Sequence, residues 1–161
     1  MSVVANTTPL IGLASIQRFQ LLNGLFGEVH IAKAVYDEIM LAGVSKKTAV
    51  QEVSPSARLK TIQVKDRLAV DVLLDELDLG EAETIIVARE INADWVIMDK
   101  KKGRQKLTQL GLNKIGTVGI LLKAKELGLV SVIKPELEKL QEHGFSLSQL
   151  VIDTVLHQAG E

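Results

Sequence analysis

An α/β fold built on a parallel sheet is what this chain of 161 residues predicts, on three observations. Short apolar runs alternate with helical patterns from one end to the other, the order that right-handed βαβ units produce. The runs are continuous and not polar on every second residue; Trp95-Val96-Ile97-Met98 reads as a strand buried on both faces. Several runs stop at a polar residue just before a helix begins, as at Asn6, Asp99 and Thr117. In open α/β sheets that carboxyl edge is where ligands bind.

Each element has its own signal. Ser2 to Ala5 is the first strand, and Thr8 with Pro9 reads as the N-cap and first turn of a helix reaching toward Leu22 in one or two pieces. Gly27 to Ile31 is a strand; Ala32 to Ala42 is a helix closed by Gly43, with Val35, Ile39 and Ala42 on one stripe. Glu38 lies at the margin of that stripe and Asp37 points away. Val44 to Ser56 turns polar and reads as an insertion or short helix. Leu59 to Val64 alternates as a half-buried or edge strand does, and Leu68 to Leu77 reads as a helix with an acidic face.

The helix from Leu79 to about Ile91 has the strongest pattern. Its projection puts Glu81 on the face of Ile85 and Ala88, toward the core, and Glu83 on the face of Glu90, toward solvent. After the strand at Trp95 come Lys100, Lys101, Lys102, Arg104 and Lys106, on a helix closed by Gly111. Asn113 to Gly119 leads through a short strand into a helix ended by Gly128, where the Thr117 hydroxyl either caps the helix or touches a ligand. Pro135 marks the N1 position of the next helix. Ser146 and Gln149 read as a capping box for the last one, with Phe145 and Leu150 as its hydrophobic staple. The whole span 1–161 reads as one domain, its last two helices (134–158) forming a cover or an oligomer surface.

Composition narrows the function classes. Apolar residues at 47% and charged residues at 24% describe an ordinary globular chain. The absence of cysteine excludes disulfides, thiolate zinc sites and a Cys nucleophile. A net charge of −1 gives no global case for nucleic acid, so a local basic patch has to carry one. No run approaches membrane-spanning length, and a soluble cytoplasmic protein is the expectation.

Asn6, Asp99 and Thr117 each follow a strand, Glu81 opens a helix packed on the sheet, and Glu38 joins them if its helix leans over the same edge. Three carboxylates and an amide there would make a hard-oxygen site for Mg²⁺ or Mn²⁺. Taken singly, each residue has a plainer role: loop satisfaction for Asn6 and Thr7, dipole complementation for Glu81, a solvated face for the lysines. The basic run directly after Asp99 reads either as such a face or as a phosphate contact.

Asn6-Thr7-Thr8-Pro9-Leu10-Ile11, Phe26-Gly27-Glu28-Val29 and Ala34-Val35-Tyr36-Asp37-Glu38 resemble the opening of the PIN-domain superfamily, in its prokaryotic PIN-like branch of unknown function. Leu79-Gly80-Glu81-Ala82-Glu83, Val96-Ile97-Met98-Asp99, Gly116-Thr117-Val118-Gly119 and the stretch from Leu127-Gly128-Leu129 to Gly144-Phe145 continue the resemblance in order. It implies a three-layer α/β/α sandwich and a Mg²⁺- or Mn²⁺-dependent ribonuclease. By position, Asn6, Glu38, Glu81 and Asp99 are the metal and catalytic set, and Thr8 stands where the family often has Ser or Thr. The resemblance also implies RNA as substrate, a toxin role with a small antitoxin partner, and a homodimer. Two departures stand out: the first position is usually Asp, not Asn6, and Asp99 is followed by Lys100 where a second acid is common.

Two functions follow. One is a ribonuclease that hydrolyses phosphodiesters through metal-activated water, with Lys101, Lys102 and Arg104 on the RNA phosphates. The other is a catalytically impaired PIN domain that binds RNA or a partner protein, since Asn6 and Lys100 both make the site less negative. A receiver-like regulatory domain ranks below both, because Asn6-Thr7-Thr8 lacks the adjacent acids such a domain needs.

Overall fold

Every strand of the computed structural model runs parallel to its neighbours, in the order β3-β2-β1-β4-β5. The structure describes residues 1–42 and 59–161; Gly43 and the polar stretch 44–56 lie outside the described residues. The strands are β1 (Val3–Ala5), β2 (Val29–Ala32), β3 (Leu59–Ile62), β4 (Trp95–Ile97) and β5 (Lys114–Ile115). Nine helices are described: α1 (Thr7–Ser15), α2 (Gln20–Phe26), α3 (Lys33–Ala42), α4 (Arg67–Leu73), α5 (Leu79–Glu90), α6 (Lys101–Gln109), α7 (Thr117–Glu126), α8 (Lys134–Glu142) and α9 (Gln149–Gln158). This is the three-layer α/β/α sandwich that the sequence predicts.

Burial explains the strand order. β1 is fully buried, and β2 and β4 nearly so, which is why they read as unbroken apolar runs. β3 shows the mixed exposure of an edge strand, in keeping with its alternating sequence. The chain steps outward from β1 to β2 to β3, then returns to the other side of β1 for β4 and β5. The direction therefore reverses between β1 and β4, and a crevice opens at that switch point beyond the strand ends.

Several local readings change. α1 begins at Thr7, so Asn6 and not Thr8 takes the N-cap position. α1 and α2 are separate because Gln17 adopts a left-handed φ of 59°, which an α-helix cannot continue. Pro135 is the second residue of α8, and Ser148, not Ser146, caps α9, accepting from the Val151 N–H at 3.2 Å. Phe145 is no staple: its ring packs against α1, within 3.1 Å of where a Cβ on Gly12 would stand.

Glu83, expected to face solvent, is only 4% exposed. Its Oε1 accepts the Ala34 N–H at 3.0 Å and its Oε2 pairs with Arg67 Nη1 at 2.6 Å. The projection failed because α5 is sheathed on more than one side. It meets the sheet, α3 and α4 together, and every residue from Gly80 to Ala88 is buried. A buried carboxylate there needs partners, and the start of α3 and Arg67 supply them.

Candidate active-site edge

The site starts from the register of β1 and β4. Ala5 pairs with Ile97, and the Asn6 N–H donates to the Ile97 carbonyl at 2.9 Å. Asn6 is thereby held beside Met98, with Asp99 one residue further at the same edge. Its side chain is 2% exposed and makes no cap bond to α1. Nδ2 donates to Met98 Sδ at 3.2 Å, a weak acceptor, and Oδ1 is buried without a partner among the described residues. Such an orphaned oxygen costs about 1–3 kcal/mol. A chain keeps that cost most readily where the oxygen has a ligand to meet.

Asp99 is fixed from the neighbouring strand. Thr117, the first residue of α7, donates its N–H to Oδ1 at 2.8 Å and its hydroxyl to Oδ2 at 2.6 Å. So the Thr117 hydroxyl does not cap its own helix; the Asp99 carboxylate caps α7 from across the edge, at the positive end of its dipole. Gly116 makes room for this, since a Cβ there would come within 2.8 Å of Oδ1. Burial pushes the Asp99 pKa above its ordinary value, outweighing the Thr117 hydrogen bonds and the nearby Arg104 charge. Arg104, expected among the phosphate contacts, donates from Nη1 to the Met98 carbonyl at 2.9 Å. Lys101 and Lys102 are exposed in the first turn of α6. Cations at a helix start oppose its dipole, so this turn gains from an anion such as phosphate.

The other two acids arrive on helices. Glu38 Oε2 accepts from the Thr7 hydroxyl, and its carboxylate lies over Gly80 so closely that a Cβ there would overlap Oε1 and stand 2.8 Å from Cδ. Glu81, 5% exposed, faces the core side as its projection predicts. Its N–H donates to Asp78 Oδ1 at 2.8 Å. Lys100 Nζ stands 3.0 Å from Asp78 Oδ2 and 3.4 Å from Glu81 Oε1.

Burial, reinforced by the hydrogen bond and charge of Asp78 and opposed by Lys100, pushes the Glu81 pKa up from 4.5 to about 7. Burial also acts upward on Asp78, yet the bonds it accepts from Glu81 and Lys100 bring it below its ordinary value. Of the pair, Glu81 therefore keeps its proton to the higher pH. Asp78 was missed in the sequence reading, although Asp78-Leu79-Gly80-Glu81 has the spacing of an N-cap acid three residues before a glutamate.

This has a consequence for metal-free stability. Because the folded chain keeps a proton on Glu81 that the unfolded chain has lost, stability is highest below pH 4.5 as far as this group is concerned and falls as pH rises to about 7. Asp78 acts with the opposite sign and only in the more acidic range, below its ordinary 3.8. Denaturant titrations in EDTA from pH 5 to 8 should show the fall in wild type, and Glu81→Gln should flatten it. An unchanged slope in the variant would contradict the proton kept on Glu81.

Two cavities flank Asp99. One of 310 Å³ is lined by Thr7, Thr8, Asp99, Lys100 and Phe145; another of 470 Å³ by Asp99, Arg104, Lys114 and Ser148. The four expected ligands therefore reach one edge without closing on a single point: Asn6 and Asp99 end adjacent strands, while Glu38 and Glu81 stand at the start of α5. Among the described residues no three His, Asp or Glu side chains lie close enough together to hold a metal ion. The donors nonetheless suit a hard divalent cation, because all are oxygens and the Asn6 amide oxygen has no partner among the described residues. Mg²⁺ in particular keeps several waters and uses one or two carboxylates.

No curated protein matches the chain. A family model described as a PIN domain matches residues 2–161, which is nearly the whole length, and the parallel sheet with its acidic switch point agrees with it. The chain belongs to the PIN-domain family.

Proposed function

We propose that this protein is a divalent-metal-dependent ribonuclease that hydrolyses phosphodiesters at the carboxyl edge of its sheet. Family membership supports nuclease-type function, nucleic-acid binding and the use of a divalent ion in general terms. The observation that carries the finer reading is the placement of Asn6 and Asp99 just beyond the ends of β1 and β4, at the switch point, with the Asn6 amide oxygen buried and without a partner among the described residues.

In this reading Asn6, Glu38, Glu81 and Asp99 would hold Mg²⁺ or Mn²⁺. A bound ion supplies Lewis acidity toward the phosphate and lowers the pKa of water. The chain supplies the rest. Thr117 locks both oxygens of Asp99 before substrate arrives, which is the preorganisation catalysis needs. Thr7 holds Glu38 in the same way. Lys101 and Lys102 bind the RNA backbone, steering it past Asp99 without reading sequence.

The opposing reading is a PIN domain that binds RNA without cutting it. Two observations favour it: Asn6 lacks the charge of an aspartate, and Lys100 is already paired with Glu81. The toxin role, a small antitoxin and a homodimer rest on the family resemblance alone.

Purified protein with Mn²⁺ should cleave single-stranded RNA and lose that activity in EDTA; induction in cells, with growth and RNA integrity followed together, tests the toxin role. Salt-sensitive RNA binding with no metal-dependent cleavage would sink the enzyme reading in favour of the second.

A further inference from the structure

We propose that Lys100 is a built-in competitor for the divalent cation: its ammonium takes the cation position of the Asp78–Glu81 pair, and an ion must displace it to engage Glu81. The inference rests on the metal-dependent reading above and adds a control on it.

Three features carry it. Nζ reaches both carboxylates, at 3.0 Å from Asp78 Oδ2 and 3.4 Å from Glu81 Oε1, and among the described residues no other cation forms an ion pair with either. Glu81 is almost wholly buried, so the ammonium covers an oxygen that has little other access to solvent. A divalent ion binds carboxylate oxygens at 2.0–2.6 Å, and two cations cannot share them at that range without strong repulsion.

The geometry also gives Lys100 somewhere to go. Its backbone is fixed at the N-cap of α6, directly after Asp99, but its side chain is half exposed. It also lines the 310 Å³ cavity beside Asp99, Thr7 and Thr8. A displaced ammonium can turn into that cavity, toward the place where an RNA phosphate would lie. Lys100 would then pass from blocking the metal to holding the substrate, so that the site completes itself only when ion and RNA are both present.

The test is isothermal titration of MnCl₂ into wild type, Lys100→Met, Lys100→Gln and Lys100→Arg in the absence of RNA. Both neutral variants should bind Mn²⁺ at least about tenfold tighter than wild type, and the arginine variant, which keeps the charge, should stay within about threefold of it. Two neutral variants are used so that a folding defect in one, seen by circular dichroism, leaves the other to decide. Equal or weaker binding by the folded neutral variants, equal tightening by arginine, or no binding by any form overturns the proposal. Tighter Mn²⁺ binding without cleavage by any variant would leave it standing and remove the ribonuclease reading. Cleavage with Mn²⁺ affinity unchanged across the series would do the reverse.

Discussion

Asp99→Asn should reduce metal-dependent RNA cleavage about a hundredfold or more while leaving the fold in place. The change deletes one charge and almost nothing else. In the wild type Thr117 donates twice to Asp99, by its N–H and by its hydroxyl. An asparagine can turn its oxygen to the N–H and offer its amide hydrogens to the hydroxyl oxygen, which accepts as readily as it donates. Burial already works against the ionised form of Asp99, so a neutral side chain relieves desolvation as well. Thermal stability should therefore hold within a few degrees or rise slightly.

Cleavage should not survive, because preorganised charge at the reacting centre is worth about a hundred- to a thousandfold in rate. Cleavage rate and melting temperature on the same preparation decide the matter. A variant that cuts RNA as fast as wild type removes Asp99 from the chemistry; one that unfolds shows that the charge is structural, a cap for α7. Asn6→Asp is the complementary change, adding charge beside a buried, unpartnered oxygen.

How much of this the sequence carries depends on what each residue's surroundings are made of. Asn6 and Asp99 were legible because strand ends are local events: an unbroken apolar run stops, and a polar residue follows. Glu81 was legible from helical period, since one side of α5 had to meet the sheet. The same argument failed for Glu83, because period reports one buried face and cannot report that α3 and α4 bury the others. The partner of Thr117 was not legible, for a related reason. A hydroxyl at a helix start caps locally unless a nonlocal acceptor reaches it first, and Asp99, eighteen residues earlier in the chain, is such an acceptor. Ser146 fits a capping box with Gln149 by spacing alone, yet α9 starts two residues later and Ser148 caps it. Strand order lay beyond reach, since continuous apolar runs say that strands are central but not which ones touch.

Gly80→Ala should uncouple the site from the fold, and it is the sharper test of Glu38. An alanine Cβ at this position would overlap Glu38 Oε1 and come within 2.8 Å of Cδ. The obstacle is the end of a flexible side chain, so Glu38 can swing away while the helices stay put. What that movement breaks is the hydrogen bond from Thr7, worth about 1 kcal/mol, and the alignment of the carboxylate with the sheet edge. Against this, alanine stabilises a helix relative to glycine by about 0.5–1 kcal/mol. The two terms nearly cancel, and melting temperature should move by no more than a few degrees. Mn²⁺-dependent cleavage should nevertheless fall at least about tenfold, because the loss lies in the position of a ligand and not in the stability of its scaffold. The double-mutant cycle with Glu38→Ala makes the cause visible. If Gly80→Ala acts only by displacing Glu38, the double variant should be no worse than Glu38→Ala alone, since residues that act as one unit are not additive. Additive losses would mean that Gly80 serves the site in some way other than by yielding space to Glu38, and undiminished cleavage in Gly80→Ala would remove Glu38 from the catalytic set.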